Sequence, residues 1–272
     1  LIEEFAKAEL FLTAYGLINI VLLFGINTQI YRDIASDNRL TQVKELGLYR
    51  SKMYGYLLIN SLIVFSALLI WYVVAGIGYK YIIYAALASS FYVIFVFELC
   101  VFQIKKKAFN FLHFNLVFTV CNILITVLAL EYFKFEYEAR FFGYLAPAVI
   151  FALFFSTKYK VDLTQFSFKE YKNKLVTSFP LFFSAIASWT TESIDKFMIA
   201  GMLKLEDVAI YSVGYKFGMI MLLLTSAYSR AWMPFVIDKI HKNEGIRRAL
   251  FFSIVLMIVG CLCYLAVIPF VY

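Results

Sequence analysis

Residues 53–75 read MYGYLLINSLIVFSALLIWYVVA, a stretch without a charged side chain. A helix that crosses a hydrocarbon core about 30 Å thick needs about 20 apolar residues. Lipid offers no hydrogen-bond partners to the backbone, so a spanning segment must be a helix or a strand of a closed barrel. A barrel strand would alternate polar and apolar residues over about 10 positions, whereas this stretch is apolar on every side. It therefore predicts a transmembrane helix.

The same pattern recurs along the chain of 272 residues. Hydrophobic residues make up 63% of the chain and charged residues 16%, whereas soluble proteins carry about 25% charged residues. The sequence therefore predicts an all-α polytopic membrane protein with about eight transmembrane helices. The predicted spans are residues 8–30, 53–75, 79–102, 108–130, 137–156, 177–202, 208–235 and 249–271.

The connections between the predicted spans alternate in basic content. One set holds most of the 25 lysines and arginines: Arg32, Arg39, Lys44, Arg50, Lys52, Lys105, Lys106, Lys107, Lys158, Lys160, Lys169, Lys172, Lys174, Lys239, Lys242, Arg247 and Arg248. The opposite set holds Lys7, Lys80, Lys134, Arg140 and Lys204. Basic loops stay in the cytoplasm, so we expect both ends of this chain to be extracytoplasmic. The net charge of +7 is then a signal of topology and indicates no nucleic-acid partner.

The longest polar connection divides the chain into two groups of spans. It predicts a first transmembrane lobe at residues 1–156, a cytoplasmic inter-lobe loop at 157–176 and the start of a second lobe at 177–272. The chain begins without a methionine and ends directly after an apolar run. We therefore expect a fragment of a longer protein, with a first helix missing and the second lobe truncated.

Charged residues inside the predicted spans are the candidate functional residues. Span 177–202 contains Glu192, Asp195 and Lys196, and the next span contains Lys216. A charge at the bilayer centre costs about 2.5–3.5 kcal/mol on insertion scales, so such residues usually face a bundle interior or an aqueous cavity. Two interpretations stay open. The acids pair with Lys196 and Lys216 to join two helices, or the same charges line a hydrated lumen that handles a charged substrate or a proton.

Other charges lie nearer the ends of spans. Arg32 is at a cytoplasmic helix end, where its side chain can extend to the headgroups, and it is also a candidate lumen residue. Glu98 precedes a run of lysines and is expected to face the interface. The segment 32–52 is predicted to be either an interfacial amphipathic helix, with Leu46 and Leu48 near the lipid, or a solvated connector.

The sequence contains none of the common catalytic motifs: no P-loop, no HExxH, no GxSxG and no glycine-rich dinucleotide fingerprint. Its four cysteines, Cys100, Cys121, Cys261 and Cys263, lie in apolar runs without metal-ligand spacing. We therefore expect a non-enzymatic membrane protein with no catalytic residue, no metal site and no cofactor.

One segment carries a more specific signal. Residues 179–235 read FPLFFSAIASWTTESIDKFMIAGMLKLEDVAIYSVGYKFGMIMLLLTSAYSRAWMPF. They combine Pro180 at a helix start, the pair Asp195-Lys196, an IAG element, VAIYSVGYK at 208–216 and AWMPF at 231–235. This order resembles the polysaccharide (O-antigen-type) flippases of the multidrug/oligosaccharidyl-lipid/polysaccharide exporter superfamily. LLFGINTQIYR at 22–32 is similar to that family's second helix running into its cytoplasmic loop.

The resemblance implies a MATE-like helical bundle of two six-helix lobes around a central cavity. It also implies translocation of undecaprenyl-diphosphate-linked oligosaccharides across the bacterial cytoplasmic membrane, for O-antigen, capsule or exopolysaccharide synthesis. Asp195 and Lys196 match the family's acidic-basic pair, and Lys216 matches the basic position of its YK element. The implied partners are the lipid-linked oligosaccharide, the membrane lipids, and the polymerase and export proteins that use the product. A two-lobe transporter is expected to be a monomer.

Three alternatives remain at this stage. The chain can be a cation-coupled MATE-type exporter of small molecules that uses Asp195 or Glu192, or a flippase for a peptidoglycan precursor. A membrane glycosyltransferase or polymerase is the third alternative, and it would require a large extracytoplasmic loop with polar catalytic residues.

Overall fold

A computed structural model describes residues 2–36, 43–75 and 80–216, together with a few short pieces further along the chain. These described residues form helices and contain no strand. The helices are α1 (Ile2–Leu23), α2 (Ile26–Ser36), α3 (Val43–Ala75), α4 (Lys80–Ile104), α5 (Ala108–Glu131), α6 (Glu138–Lys158) and α7 (Phe168–Met202), with a short 3-10 helix at Leu163–Gln165. Residues 205–216 are also helical.

The predicted class, an all-α polytopic membrane protein, is confirmed. Helices α1, α4, α5 and α6 and the segment Glu45–Trp71 of α3 are long and apolar enough to cross a membrane. The count of eight is not confirmed. The sixth predicted span lies in α7, whose uncharged stretch is shorter and contains several serines and threonines. The seventh and eighth, 208–235 and 249–271, fall largely outside the described residues.

The first predicted span, 8–30, is divided into two helices. The chain turns at Phe24 and Gly25, whose φ angles are 44° and 74°. Gly25 lies directly against α7: a Cβ at this position would be 2.9 Å from the Ser178 carbonyl oxygen and 2.9 Å from the Leu181 Cβ. Helix α1 therefore ends where the backbone of another helix passes, and α2 continues from the turn with Ile26 buried.

Helix α3 begins about ten residues before the predicted start of its span. It contains 33 residues, which is about 50 Å at 1.5 Å per residue, well over the thickness of a hydrocarbon core. Residues 43–52, predicted to be an interfacial helix or a solvated connector, are its first turns, with Leu46 buried and Leu48 exposed. Residues 37–42 lie outside the described part of the chain.

Helix α4 lies at the centre of the bundle and packs against α1, α3 and α6. Its Phe95 is fully buried, with the ring centroids of Phe118 and Phe151 at 4.6 and 5.1 Å. Helix α5 covers one side of this core and exposes a row of large apolar side chains: Phe109, Leu112, Leu116, Val120, Ile123, Leu124, Val127 and Leu128. An exposed apolar stripe of this length is expected of a helix that faces lipid.

A close approach between α5 and α6 depends on Gly143. A Cβ at this position would lie 2.0 Å from the Thr126 hydroxyl oxygen and 3.0 Å from the Asn122 carbonyl oxygen. We expect Gly143→Ala to destabilise the protein by about 1–3 kcal/mol, because overpacking forces the two helices apart. Thermal unfolding of the purified protein in detergent measures the effect. Adding Thr126→Ala should recover part of the loss, and no difference between Gly143→Ala and the native protein would contradict this packing.

The chain divides into a compact unit at Leu1–Ala209 and a second unit at Ile210–Tyr272. Within the first unit, α7 runs antiparallel to α1. Gly25 faces Ser178, a Cβ on Gly16 would be 3.4 Å from the Trp189 ring nitrogen, and Glu9 contacts Lys196. The predicted lobes, 1–156 and 177–272, stay a prediction, but α7 lies along the first group of helices.

Candidate transport site

A buried ion pair joins the first and last helices of the first unit. The Lys196 Nζ lies 3.1 Å from a Glu9 carboxylate oxygen. Glu9 is 3% exposed and Lys196 is 8% exposed. Glu9 lies about two turns after the start of α1 and Lys196 about two turns before the end of α7, so each is about 10 Å from the same end of the bundle.

Burial explains why these two residues belong together. An unpaired charge in apolar surroundings is strongly unfavourable, and a hydrogen-bonded partner of opposite charge compensates it. The Thr13 hydroxyl donates to the Glu9 carbonyl oxygen at 2.8 Å, so a further polar group lies one turn along the same helix. The Glu9–Lys196 pair is therefore a buried polar contact between α1 and α7 inside an apolar bundle.

The other predicted site residues are more dispersed. Asp195 is half-buried and accepts a hydrogen bond from the Lys196 backbone N–H at 2.9 Å. Glu192 is exposed on α7. Lys216 is exposed in the second unit, and Arg32 lies in α2 with its side chain outside the described part of the structure. Of the predicted residues, Lys196 pairs with Glu9 of α1, and a lumen role for each member of the set stays a prediction.

Glu9 was missed by the sequence interpretation, although the signal was present. It is an acid inside the predicted span 8–30, where the same argument of insertion cost applies. Its partner is 187 residues away along the chain, and no local spacing reveals such a pair. Only the antiparallel packing of α7 on α1 brings the two charges together.

A second buried ion pair lies near the C-terminal end of α4. The Arg50 Nε is 2.9 and 3.2 Å from the two carboxylate oxygens of Glu98, and its Nη2 is 3.0 Å from one of them. The Tyr54 hydroxyl donates to the same carboxylate at 2.9 Å, and the guanidinium lies 3.6 Å from the Tyr159 ring centroid. Burial and the Arg50 charge lower the pKa of the nearby Lys105.

This arrangement corrects the expectation that Glu98 faces the interface. Glu98 is 0% exposed and Arg50 is 7% exposed. Arg50, which the sequence placed in a loop, lies on the early turns of α3 and reaches the carboxylate on α4. The bidentate geometry is the strong form of a carboxylate–guanidinium contact, so the pair fixes α3 to α4.

A third polar network holds the beginning of α7. Lys174 forms an ion pair with Asp33 of α2, and the Tyr49 hydroxyl donates to the same carboxylate at 2.8 Å. One turn earlier in α7, Glu170 forms an ion pair with Lys52 at 2.9 Å. Helices α2 and α3 therefore both bind the first turns of α7.

Further contacts extend this network into the bundle. The Tyr171 hydroxyl donates to the Asn60 side chain, whose amide donates to the Leu22 carbonyl oxygen at 2.8 Å. The Ser178 hydroxyl donates to the buried Gln29 side chain. The first three turns of α7 are thus tied to the end of α1, to α2 and to α3.

Comparison with known proteins places the chain in a family. The family described as polysaccharide biosynthesis protein matches residues 2–241. This chain belongs to that family. The match includes all the helices described above and both partners of the Glu9–Lys196 pair, and it confirms the resemblance first seen in residues 179–235.

Individual relatives of this chain are distant. Protein 1 of the Lsg locus of Haemophilus influenzae is 24% identical over 168 residues, which are 59% of this chain and 42% of that protein. A membrane protein of the same organism is 23% identical over 167 residues, 59% of this chain and 41% of that protein. The chain therefore spans about two-fifths of the length of these relatives. No solved structure matches it at a significant level.

Proposed function

We propose that this chain is part of a flippase that moves undecaprenyl-diphosphate-linked oligosaccharides across the bacterial cytoplasmic membrane for surface polysaccharide synthesis. One observation carries the proposal. A member of a polysaccharide biosynthesis family contains, among its described residues, five helices long and apolar enough to cross a membrane. A protein built in this way suits the transport step of such a pathway better than the assembly of glycosidic bonds.

The chemistry of the substrate explains why a protein is needed. A sugar headgroup would lose its hydrogen bonds with water in hydrocarbon, which is strongly unfavourable without replacement partners. A polar path must therefore carry the headgroup while the polyprenyl tail stays in lipid. An inside-negative potential favours outward movement of the diphosphate by about 2.3 kcal/mol per charge per 100 mV.

The proposed path lies between two lobes that rock against each other, the first at residues 1–156 and the second beginning at 177. Basic residues on this path would offset the charge of the diphosphate, and the polar and acidic residues would hydrogen-bond to the sugars. The candidates are Asp195, Lys196, Lys216, Glu192 and Arg32. In the proposed topology both ends of the chain are extracytoplasmic, and the full-length protein is a monomer that delivers its product to a polymerase and export proteins.

Deletion of the gene in its host tests the proposal. We expect loss of one surface polysaccharide and accumulation of its lipid-linked precursor, because synthesis continues while transport stops. Gel analysis of surface glycan and mass spectrometry of the extracted lipids measure the two effects, and the native gene supplied on a plasmid should reverse both. Unchanged surface glycan without precursor accumulation would contradict the proposal. Accumulation of a peptidoglycan precursor, or a defect in drug export alone, would support the corresponding alternative instead.

A further inference from the structure

The two ends of α7 are held in different ways. At its beginning, Lys174, Glu170, Tyr171 and Ser178 all contact the first group of helices through side-chain hydrogen bonds or ion pairs. At its other end, the contacts with α1 include the Glu9–Lys196 pair, and a small apolar cluster joins α1 to the end of α7 and to the helical residues that follow it. That cluster is separate from the main core and consists of Ala6, Leu10, Val208 and Ala209, with partly buried neighbours that include Phe197 and Ile199.

A weak point in α7 lies between these two ends. Pro180 is inside the helix and has no N–H to donate to the preceding turn, which kinks or weakens a helix locally. It lies beside the Gly25 turn, because Ser178 and Leu181 are the residues that a Cβ on Gly25 would meet. A bend at Pro180 would let the part of α7 that follows it change its angle while the first turns stay bound to α2 and α3.

We propose that transport requires Glu9, because its ion pair with Lys196 holds α1 against the part of α7 that follows Pro180 and must break in each transport cycle. We call this ion pair the latch. This inference rests on the proposed flippase function, and it specifies that the contact between Glu9 and Lys196 must break during transport. In the proposed topology the latch lies at the extracytoplasmic end. In a dry interface neither buried charge can leave its partner without a large penalty. The latch therefore opens when water enters the pathway beside it, whether or not the anionic headgroup is bound.

Cross-linking across the latch tests the inference. The full-length protein carries Glu9→Cys and Lys196→Cys in a cysteine-free background and is reconstituted in vesicles with lipid-linked oligosaccharide from the gene-deleted host. A short bifunctional methanethiosulfonate then joins the two thiols, and dithiothreitol releases them. We expect cross-linking to lower translocation by about tenfold, because closing motions gate turnover, and reduction to restore it. Undiminished translocation in the cross-linked protein would overturn the latch.

A matched control uses the opposite end of α7. Asp33→Cys with Lys174→Cys places the same cross-linker between α2 and the first turns of α7, where an ion pair already joins them. We expect translocation to be unchanged, since this end stays bound throughout. Loss of translocation in this control as well would contradict a movement of α7 that is confined to the part after Pro180.

If the double cysteine variant is inactive before cross-linking, variants that exchange the two charges test the inference instead. Glu9→Lys alone and Lys196→Glu alone place like charges together and should each abolish translocation. The combined variant restores an attractive pair and should recover most of it. Failure of the combined variant, with normal insertion in the membrane, would overturn the latch.

A measurement without substrate separates this inference from the flippase proposal. Spin labels at exposed Ile2 and Leu203 report the distance between the start of α1 and the end of α7. The latch predicts two distance populations in the native protein and one short population after cross-linking at residues 9 and 196. A single unchanged distance would overturn the latch even if the protein moves lipid-linked oligosaccharide. Two populations without translocation would instead count against the flippase proposal.

Discussion

Replacing Arg50 with methionine is expected to destabilise the protein by about 3–5 kcal/mol, because the substitution leaves a buried carboxylate without its partner. Glu98 has no exposed surface and accepts three of its hydrogen bonds from the Arg50 guanidinium. The Tyr54 hydroxyl remains as a donor but cannot neutralise the charge. Thermal unfolding in detergent, with the yield of monodisperse protein, measures the loss.

Two further variants test whether the loss of stability comes from leaving Glu98 buried without a partner or simply from removing a positive charge from α3. Replacing both partners, Arg50→Met with Glu98→Leu, should recover much of the stability, since apolar residues of similar volume often replace a buried pair without loss. Lys52→Met is the matched control: it removes another α3 cation, whose ion pair with Glu170 is partly exposed, and should cost less than about 1 kcal/mol. Equal effects of Arg50→Met and Lys52→Met would contradict the structural role of the buried pair.

Gly25→Ala is expected to have the second-largest effect. A residue with a side chain in the left-handed region loses about 1–2 kcal/mol, and Gly25 has a φ of 74°. The new methyl group would also lie 2.9 Å from the Ser178 carbonyl oxygen, and overpacking of this kind adds about 1–3 kcal/mol. Because the contacted atom belongs to the backbone of α7, a change of rotamer cannot relieve it.

The control for this substitution is Gly47→Ala. Gly47 is in α3, and a Cβ there meets no atom within 4 Å. Alanine should leave stability unchanged or raise it by up to about 1 kcal/mol, since it favours helix more than glycine does. Comparing the unfolding temperatures of the two variants measures the difference. If Gly25→Ala unfolds at the same temperature as Gly47→Ala, then α7 does not pass the turn as closely as described.

Much of the bundle follows from sequence, because hydrophobic length determines a membrane-crossing helix. The spans predicted at 108–130 and 137–156 agree with α5 and α6 to within a few residues. The turn at Gly25 was not predicted, since an apolar run gives no sign that another backbone passes beside it. A helix before residue 53 was one of two interpretations, but its continuity with the span was not predicted, because Arg50 and Lys52 are bound by Glu98 and Glu170, which lie far along the chain.

The candidate site was also predicted only in part, because its partners are far apart along the chain. The cost of a charge in lipid identified Lys196 as a residue that needs a partner or a hydrated path. The insertion cost alone does not say which acid is the partner, and the sequence interpretation considered only Asp195 and Glu192, which are close to Lys196 along the same helix. In the structure Lys196 pairs with Glu9, on a helix that only tertiary packing brings alongside α7.

The most direct test of the proposed function is translocation by the purified full-length protein. Vesicles contain the host's lipid-linked oligosaccharide in both leaflets, and a membrane-impermeant glycosidase is added outside. The flippase proposal predicts that vesicles with the protein lose nearly all of the oligosaccharide, because the inner-leaflet fraction is brought to the surface and cleaved. Vesicles without protein should keep that inner fraction. Equal protection of the inner-leaflet oligosaccharide in both preparations would contradict the proposal.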